Sequence, residues 1–157
     1  MDVTHALTRE LILNKCKTDN LYLLKNLNFW GHDIEDVSIL NNMPNVEVLA
    51  LSINKISTLR DFQNCTKLQE LYVRRNNIKS LSELRYLQHL PYLKILWLNE
   101  NPCDQHPNYR QTVINMLPNL QKLDNKEISS EERAKAQYMN QGGGYSDEQD
   151  LHSSGVQ

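Results

Sequence analysis

The chain has 157 residues, 39% hydrophobic and 23% charged, a balance that suits one soluble domain with a moderate core and argues against wholesale disorder. Five glycines, five prolines and the lack of any apolar run near the ~18 residues of a membrane span leave out the collagen-like, low-complexity and membrane-inserted classes. With 17 basic against 19 acidic side chains, the formal charge of -2 supplies no global field that would gather nucleic acid.

The opening residues, MDVTHALTREL, carry an acid at position 2 and no apolar stretch behind a basic one, so no secretory signal is expected. Cys16, Cys65 and Cys103 lie far apart and form no CxxC pair. That pattern predicts neither a disulfide framework nor a zinc site, and it points to a reducing compartment such as the cytoplasm. Thr8 can cap a short helix through Cys16 that presents Leu11, Ile12 and Cys16 to the first repeat. Residues 1–19 are therefore read as an N-terminal helical cap.

Residues 20–106 are self-similar. Aligning LLKNLNFWGHDI (23–34), NVEVLALSINKI (45–56), KLQELYVRRNNI (67–78) and YLKILWLNENP (92–102) brings apolar residues into an LxxLxL arrangement, with a polar residue three positions later. This is the leucine-rich-repeat pattern. The polar positions, His32, Asn54, Asn76 and Asn101, recur at intervals of 22, 22 and 25 residues. A strand alternates its side chains, so the leucines face a core while the intervening residues face outward. Where the chain leaves the strand its backbone groups lose their ladder partners, and an asparagine can both donate to and accept from them. Asn54, Asn76 and Asn101 are expected to stack as a buried ladder; His32 can replace only part of that bonding, so the first repeat should be less regular.

The return halves keep the same register. Val37, Leu59 and Leu81 form one column, Leu40, Phe62 and Leu84 a second, and Met43, Cys65 and Leu87 a third, all on the convex side of the core. SLSELRYLQHLP reads as a helical turn or more, and LRDFQNC as a shorter, 3-10-like turn. Residues 107–133 form the C-terminal cap: Tyr109, Val113, Met116 and Leu117 lie at helical spacing, and Leu120 and Leu123 make a last, aberrant repeat. SSEERAKAQYMNQ has the character of a polar helix with little apolar face. Residues 134–157 are assigned to a polar tail, with disorder expected from Gly142 onward.

The segments LTRELILNKCK, LNFWGHDIEDVSI, MPNVEVLALSINKISTL, LQELYVRRNNIKSLSEL and LPYLKILWLNENPC resemble those of the short-repeat intracellular leucine-rich-repeat proteins, and within them the cilia- and flagella-associated branch. The resemblance runs from residue 7 to about 133. It implies an α/β solenoid, with a curved parallel sheet on the concave side and helices and 3-10 turns on the convex side. It also implies an adaptor at the cilium or flagellum and basal body that supports cilium assembly and associates, in animals, with a NIMA-related kinase. That branch is similar in having a further C-terminal helical segment that oligomerises and contributes to kinase binding, and no such helix is read here up to Gln157. The broader class leaves an alternative, a phosphatase-regulatory subunit or a spliceosomal-type scaffold.

The outward strand positions form a grid. One row is Asn26, Val48, Glu70, Ile95 and Lys122; the next is Asn28, Ala50, Tyr72, Trp97 and Asp124; the third is Trp30, Ser52, Arg74 and Asn99. Tyrosine, tryptophan and arginine dominate binding energy at protein interfaces. Tyr72, Arg74 and Trp97 are therefore the candidate partner-binding residues, with Arg75 on the rim and Trp30 at the first repeat. A purely structural reading stays open beside this one: Tyr72 stacked on Trp97, Arg74 solvated, Trp30 covering the N-terminal helix. No catalytic, metal or cofactor set is expected, because the five histidines fall in unrelated parts of the repeat and no phosphate-binding glycine motif occurs. Cys103 and His106 have a C-x-x-H spacing but no second ligand pair.

Overall fold

The computed structural model describes residues 5–18 and 20–142. Six strands, β1 (Asn26–Asn28), β2 (Val48–Ala50), β3 (Glu70–Tyr72), β4 (Ile95–Trp97), β5 (Lys122–Leu123) and β6 (Lys126–Glu127), lie side by side in sequence order. The first five run parallel, and β6 turns back antiparallel on β5. The register aligns the repeats as their spacing requires: Asn26, Val48, Glu70, Ile95 and Lys122 stand opposite one another, as do Asn28, Ala50, Tyr72 and Trp97.

Each strand is short because the LxxLxL pattern leaves only one inward residue between two outward ones before the backbone bends. That inward residue is Leu27, Leu49, Leu71, Leu96 or Leu123, and none is more than 2% exposed. Such burial contributes about 1.5–3 kcal/mol per side chain. The convex columns close the other side of the core. Val37, Leu59, Leu81, Leu40, Phe62, Leu84, Met43, Cys65 and Leu87 are all buried. The return segments are 3-10 helices throughout, at Ser38–Asn42, Arg60–Phe62, Leu81–Tyr86 and Pro102–Gln105. The three-residue insertion of the third repeat follows the longest of these, Leu81–Tyr86: Leu87 still keeps the 22-residue register with Cys65, and the extra residues fall in the turn between Leu87 and Leu93, where the Leu90 amide bonds the Leu87 carbonyl and Leu90 is buried.

The asparagines complete the turns. Asn54 Oδ1 accepts from the amides of His32 (3.0 Å) and Ile34 (2.8 Å), and its Nδ2 donates to the carbonyls of Phe29 and Leu51. One and two rungs along, Asn76 and Asn101 each accept from one amide, that of Ile56 or Ile78, and donate to two carbonyls in the same way. The residue before each rung is left-handed: Gly31 (φ 71°), Ile53 (φ 57°), Arg75 (φ 57°) and Glu100 (φ 61°). Only Gly31 suits that conformation without strain, and Ile53, being β-branched, suits it least. His32 does not join the ladder. It is exposed, its Nδ1 bonds the Trp30 carbonyl at 2.9 Å, and its ring meets Phe29 edge-on.

At the front, α1 (Arg9–Cys16) is capped by Thr8, whose hydroxyl accepts from the Leu11 amide at 3.2 Å. Of the side chains expected to face the repeat, Ile12 is fully buried and Cys16 partly so, but Leu11 is 38% exposed. A single helix laid against the end of a solenoid buries a narrow stripe, and Leu11 falls outside it. A pairing not read from the sequence precedes this helix, where the amides of Leu7 and Glu35 bond the carbonyls of Asp36 (2.9 Å) and His5 (2.7 Å).

At the back, α2 (Tyr109–Met116) buries Thr112, Val113 and Ile114. Asp124 and Asn125, both with positive φ (52° and 69°), make the two-residue turn into β6, the conformation a tight hairpin demands. The polar stretch beyond is a helix, α3 (Ser130–Gly142). Residues 134–142, assigned to the tail, are therefore helical; the disorder expected from Gly142 onward otherwise lies outside the described residues. Specific anchors replace the missing apolar face. Ser129 Oγ accepts from the Glu132 amide at 3.1 Å, Glu132 holds Arg110 at 2.7 and 3.0 Å, Arg133 donates to the carbonyls of Pro118 and Leu120, and Ala136 is 2% exposed.

This clamp sets a pH dependence. The hydrogen bond from Arg110 holds the Glu132 carboxyl down at about 2, well below its ordinary 4.5. A depressed carboxylate contributes its full stabilisation above the ordinary value and loses it as pH falls through the lowered one. Between about pH 4.5 and 2, α3 should therefore loosen from α2 before the sheet opens. Amide exchange would show this as faster exchange at Ala136 than at Leu71, and Arg110→Gln should abolish the difference in its pH dependence.

Candidate functional site

The outward side chains of β2, β3 and β4 form one face. Tyr72 and Trp97 are opposite each other across β3 and β4, with ring centroids 5.0 Å apart and planes at 87°, an edge-to-face pair. The Tyr72 hydroxyl donates to Glu70 on the same strand, and burial, reinforced by the Glu70 carboxylate, pushes the phenol up to about 12. Arg74 Nη1 reaches Glu100 Oε2 at 2.6 Å, with the two side chains 34% and 46% exposed. Val48, Ala50 and Ile95 are neighbouring outward positions on these strands, each partly exposed.

Tyr72, Arg74 and Trp97 are thus brought together. Arg75 stands exposed at the rim, where its left-handed backbone swings it out of the row. Trp30 is not part of the cluster: it is 55% exposed and lies on the first repeat, two strands from Arg74, roughly 10 Å away at ordinary strand spacing. Two grid positions depart from the sequence reading. Ser52 was placed outward but is 3% exposed, because the strand ends at Ala50 and the backbone is already turning. Asp124 does not continue the Tyr72 and Trp97 row; in its left-handed turn its Oδ1 accepts from the amides of Leu98 (2.7 Å) and Asn99 (3.0 Å), and its Oδ2 from the Tyr109 hydroxyl (2.6 Å). It closes the sheet rather than facing a partner.

Glu70 and Glu100 hold the tyrosine and the arginine, and the only signal of that role in the sequence was their placing, Glu70 two residues before Tyr72 on the same strand face and Glu100 about one repeat beyond Arg74. Beneath this face, among the described residues, Ser52 Oγ, Trp97 Nε1 and Asn99 Oδ1 are buried without a hydrogen-bond partner.

Among the described residues the other polar cluster, Arg110 with Glu132 and Asp124 with Tyr109, ties the C-terminal cap together. Burial pushes the Cys103 and Cys65 thiols up to about 12, so neither offers a thiolate near neutral pH. His106 Nδ1 accepts from the Asn108 amide at 3.1 Å, and among the described residues no three His, Cys, Asp or Glu side chains are placed to hold a metal. Among them, too, no helix is long and apolar enough to cross a membrane.

Comparison with known proteins agrees with the repeat. The family model described as leucine-rich repeat matches residues 9–148. The chain belongs to the leucine-rich-repeat family. Within that family it is similar to cilia- and flagella-associated protein 410 of Mus musculus, at 48% identity over 132 residues, 83% of this chain and 53% of that protein. The Homo sapiens protein of the same name is 48% identical over 132 residues, 83% of this chain and 52% of its own length. The chain spans about half the length of these curated relatives. A chain in the crystal structure of the Drosophila melanogaster SNF/U2A' complex has a TM-score of 0.68 at 22% identity, covering 94% of this chain and 98% of that one, a likeness of fold.

Proposed function

We propose that this leucine-rich-repeat chain is a non-enzymatic adaptor of cilia or flagella and basal bodies that supports cilium assembly by docking a protein partner on the face of Tyr72, Arg74 and Trp97. The observation that carries this reading is the preorganised cluster itself. Trp97 braces Tyr72, Glu70 fixes its hydroxyl, and Glu100 holds Arg74 in place before any partner arrives. Neighbouring repeats fix the backbone, so these side chains lose little freedom on binding. An acidic side chain of a docked partner can compete with Glu100 for Arg74.

The ciliary setting rests on the 48% identity to cilia- and flagella-associated protein 410. It makes the cytoplasm at the cilium base the expected location and a NIMA-related kinase the partner to try first. A phosphatase-regulatory or spliceosomal scaffold would use the same surface on another protein, and the identity favours the ciliary reading over both. In a ciliated cell, proximity labelling with the tagged chain should mark basal-body and axonemal proteins. Trp97→Ala and Arg74→Glu should each lower recovery of those proteins at least tenfold, about 1.4 kcal/mol, in line with an interface hot spot. Unchanged recovery with variants that melt like the native protein would remove the docking face, and labelling no richer in ciliary proteins than in cytosolic ones would remove the setting.

A further inference from the structure

The residues that lead into the strands line up as strictly as the strands themselves. The Lys25 carbonyl accepts from the Glu47 and Val48 amides (2.6 and 3.0 Å), Glu47 from Gln69 and Glu70, Gln69 from Lys94 and Ile95, and Lys94 from Gln121 and Lys122. Lys25, Glu47, Gln69 and Lys94 therefore stand one strand spacing apart along the edge where the chain enters the sheet. Two places earlier in each repeat, Leu23, Asn45, Lys67 and Tyr92 form a second row outside them. Asn45 Nδ2 donates to the Tyr22 carbonyl at 2.8 Å, which ties the entry of the first repeat to that of the second.

Two kinds of side chain collect on this edge. Tyr22, Leu23 and Tyr92, at 63, 67 and 57% exposure, are three of the four most exposed large apolar side chains among the described residues. Single apolar side chains are ordinary on any surface, but several beside one recess mark a contact site. Alongside them stand Lys25, Lys67 and Lys94, none of which joins the ion pairs Lys55–Asp33, Arg74–Glu100 and Arg110–Glu132. The one carboxylate in the two rows, Glu47, is partly buried and pairs with none of the three lysines. In a chain of formal charge -2 this edge is locally basic. Tyr22, Leu23, Lys25, Asn45, Glu47 and Lys67 line a cavity of about 240 Å³ at its first-repeat end.

We propose that this edge binds an acidic protein segment in extended form, with one apolar side chain seated in the cavity beside Tyr22 and Leu23, a second against Tyr92, and carboxylates between them on Lys25, Lys67 and Lys94. The spacing sets the pattern. Leu23 and Tyr92 are three strand spacings apart, roughly 14 Å, which is about the reach of four residues of extended chain. Residues i and i+4 of such a chain point to the same side. The fitting segment therefore carries two large apolar residues four apart with Asp or Glu between them. The recess, and the side-chain amides of Asn45 and Gln69 in the same rows, suit an inserted side chain and a peptide backbone rather than a bilayer, which meets protrusions and not recesses. The edge lies before the strands, apart from the face of Tyr72, Arg74 and Trp97, and its binding stands whether or not that face docks a partner.

The test selects a random-peptide phage library on the full native chain and measures the selected peptides on variants. Tyr22, Lys67 and Lys79 are all exposed, where substitution scarcely moves stability. A class of peptides should emerge that binds the native chain and Lys79→Glu alike, the latter being an equal change of charge away from the edge. The same peptides should lose about tenfold in affinity on Lys67→Glu and on Tyr22→Ser. They should carry two large apolar residues four apart with acids between, and added salt should weaken them. Peptides that depend on Lys67 but are neutral or basic overturn the proposal, as does a selection in which no peptide distinguishes Lys67→Glu or Tyr22→Ser from the native chain. Vesicles of phosphatidylcholine and phosphatidylserine are the comparison. If the chain sediments with them through Tyr22 and Lys67 while no such peptide is selected, the edge belongs to a lipid surface and the proposal falls.

Discussion

Asn76→Ala is expected to destabilise the protein by about 2–4 kcal/mol, because buried polar groups left without partners cost about 1–3 kcal/mol each. Asn76 is 5% exposed. Its Oδ1 accepts from the Ile56 amide at 2.9 Å, and its Nδ2 donates to the carbonyls of Leu51 and Val73, each at 3.1 Å. Those carbonyls keep one bond after truncation, from Asn54 and Asn101, but the Ile56 amide keeps none. Urea unfolding should show the midpoint falling with an unchanged slope. Asn77→Ala, one residue on at an exposed position, should scarcely move it. Asn76→Asp should be at least as damaging as alanine at neutral pH, since a carboxylate keeps the acceptor but turns its second oxygen toward backbone carbonyls. If Asn76→Ala unfolds like the native protein, the ladder is not what holds the repeats in register.

Asp124→Ala should cost about 2–3 kcal/mol by the same principle, and its effect should centre on the C-terminal cap. One carboxylate there accepts from two backbone amides and a tyrosine hydroxyl, tying α2 to the end of β4. The conservative Asp124→Asn keeps the acceptor for the Leu98 and Asn99 amides and should recover most of the loss. Tyr109→Phe isolates the remaining bond at about 1 kcal/mol. The Tyr109 phenol is held well above its ordinary range, first by burial and then by the Asp124 carboxylate beside it. Absorbance titration should therefore find one tyrosine that ionises only as the protein unfolds in alkali, and Asp124→Ala should lower that onset. A normal titration of every tyrosine in the folded protein would contradict this arrangement.

The repeat was legible because its information is local and periodic. Alternating leucines at 22-residue spacing fix which side chains enter the core, and the asparagine at each turn is required by backbone groups that any chain leaving a strand must satisfy. Hence the strand register, the convex columns and the ladder could be derived residue by residue, and so could the alignment of Tyr72 with Trp97. Leu11, Ser52 and Asp124 were misplaced because each sits where the period ends. At a terminal helix, a strand end or the last turn, what a side chain touches depends on how the chain bends next, and no repeat specifies that.

Sequence alone determined the solenoid, since a core built from identical steps needs only the step to be stated, and it identified the outward residue types offered to a partner. Tertiary structure decided what those residues do before binding: that Glu70 and Glu100 hold Tyr72 and Arg74, that Arg110 pins α3 through Glu132, and that β6 turns back to close the far end of the sheet. These are contacts between groups 2 to 26 residues apart whose distances depend on how the strands and caps pack, and packing is a property of the folded surface rather than of any one stretch of chain.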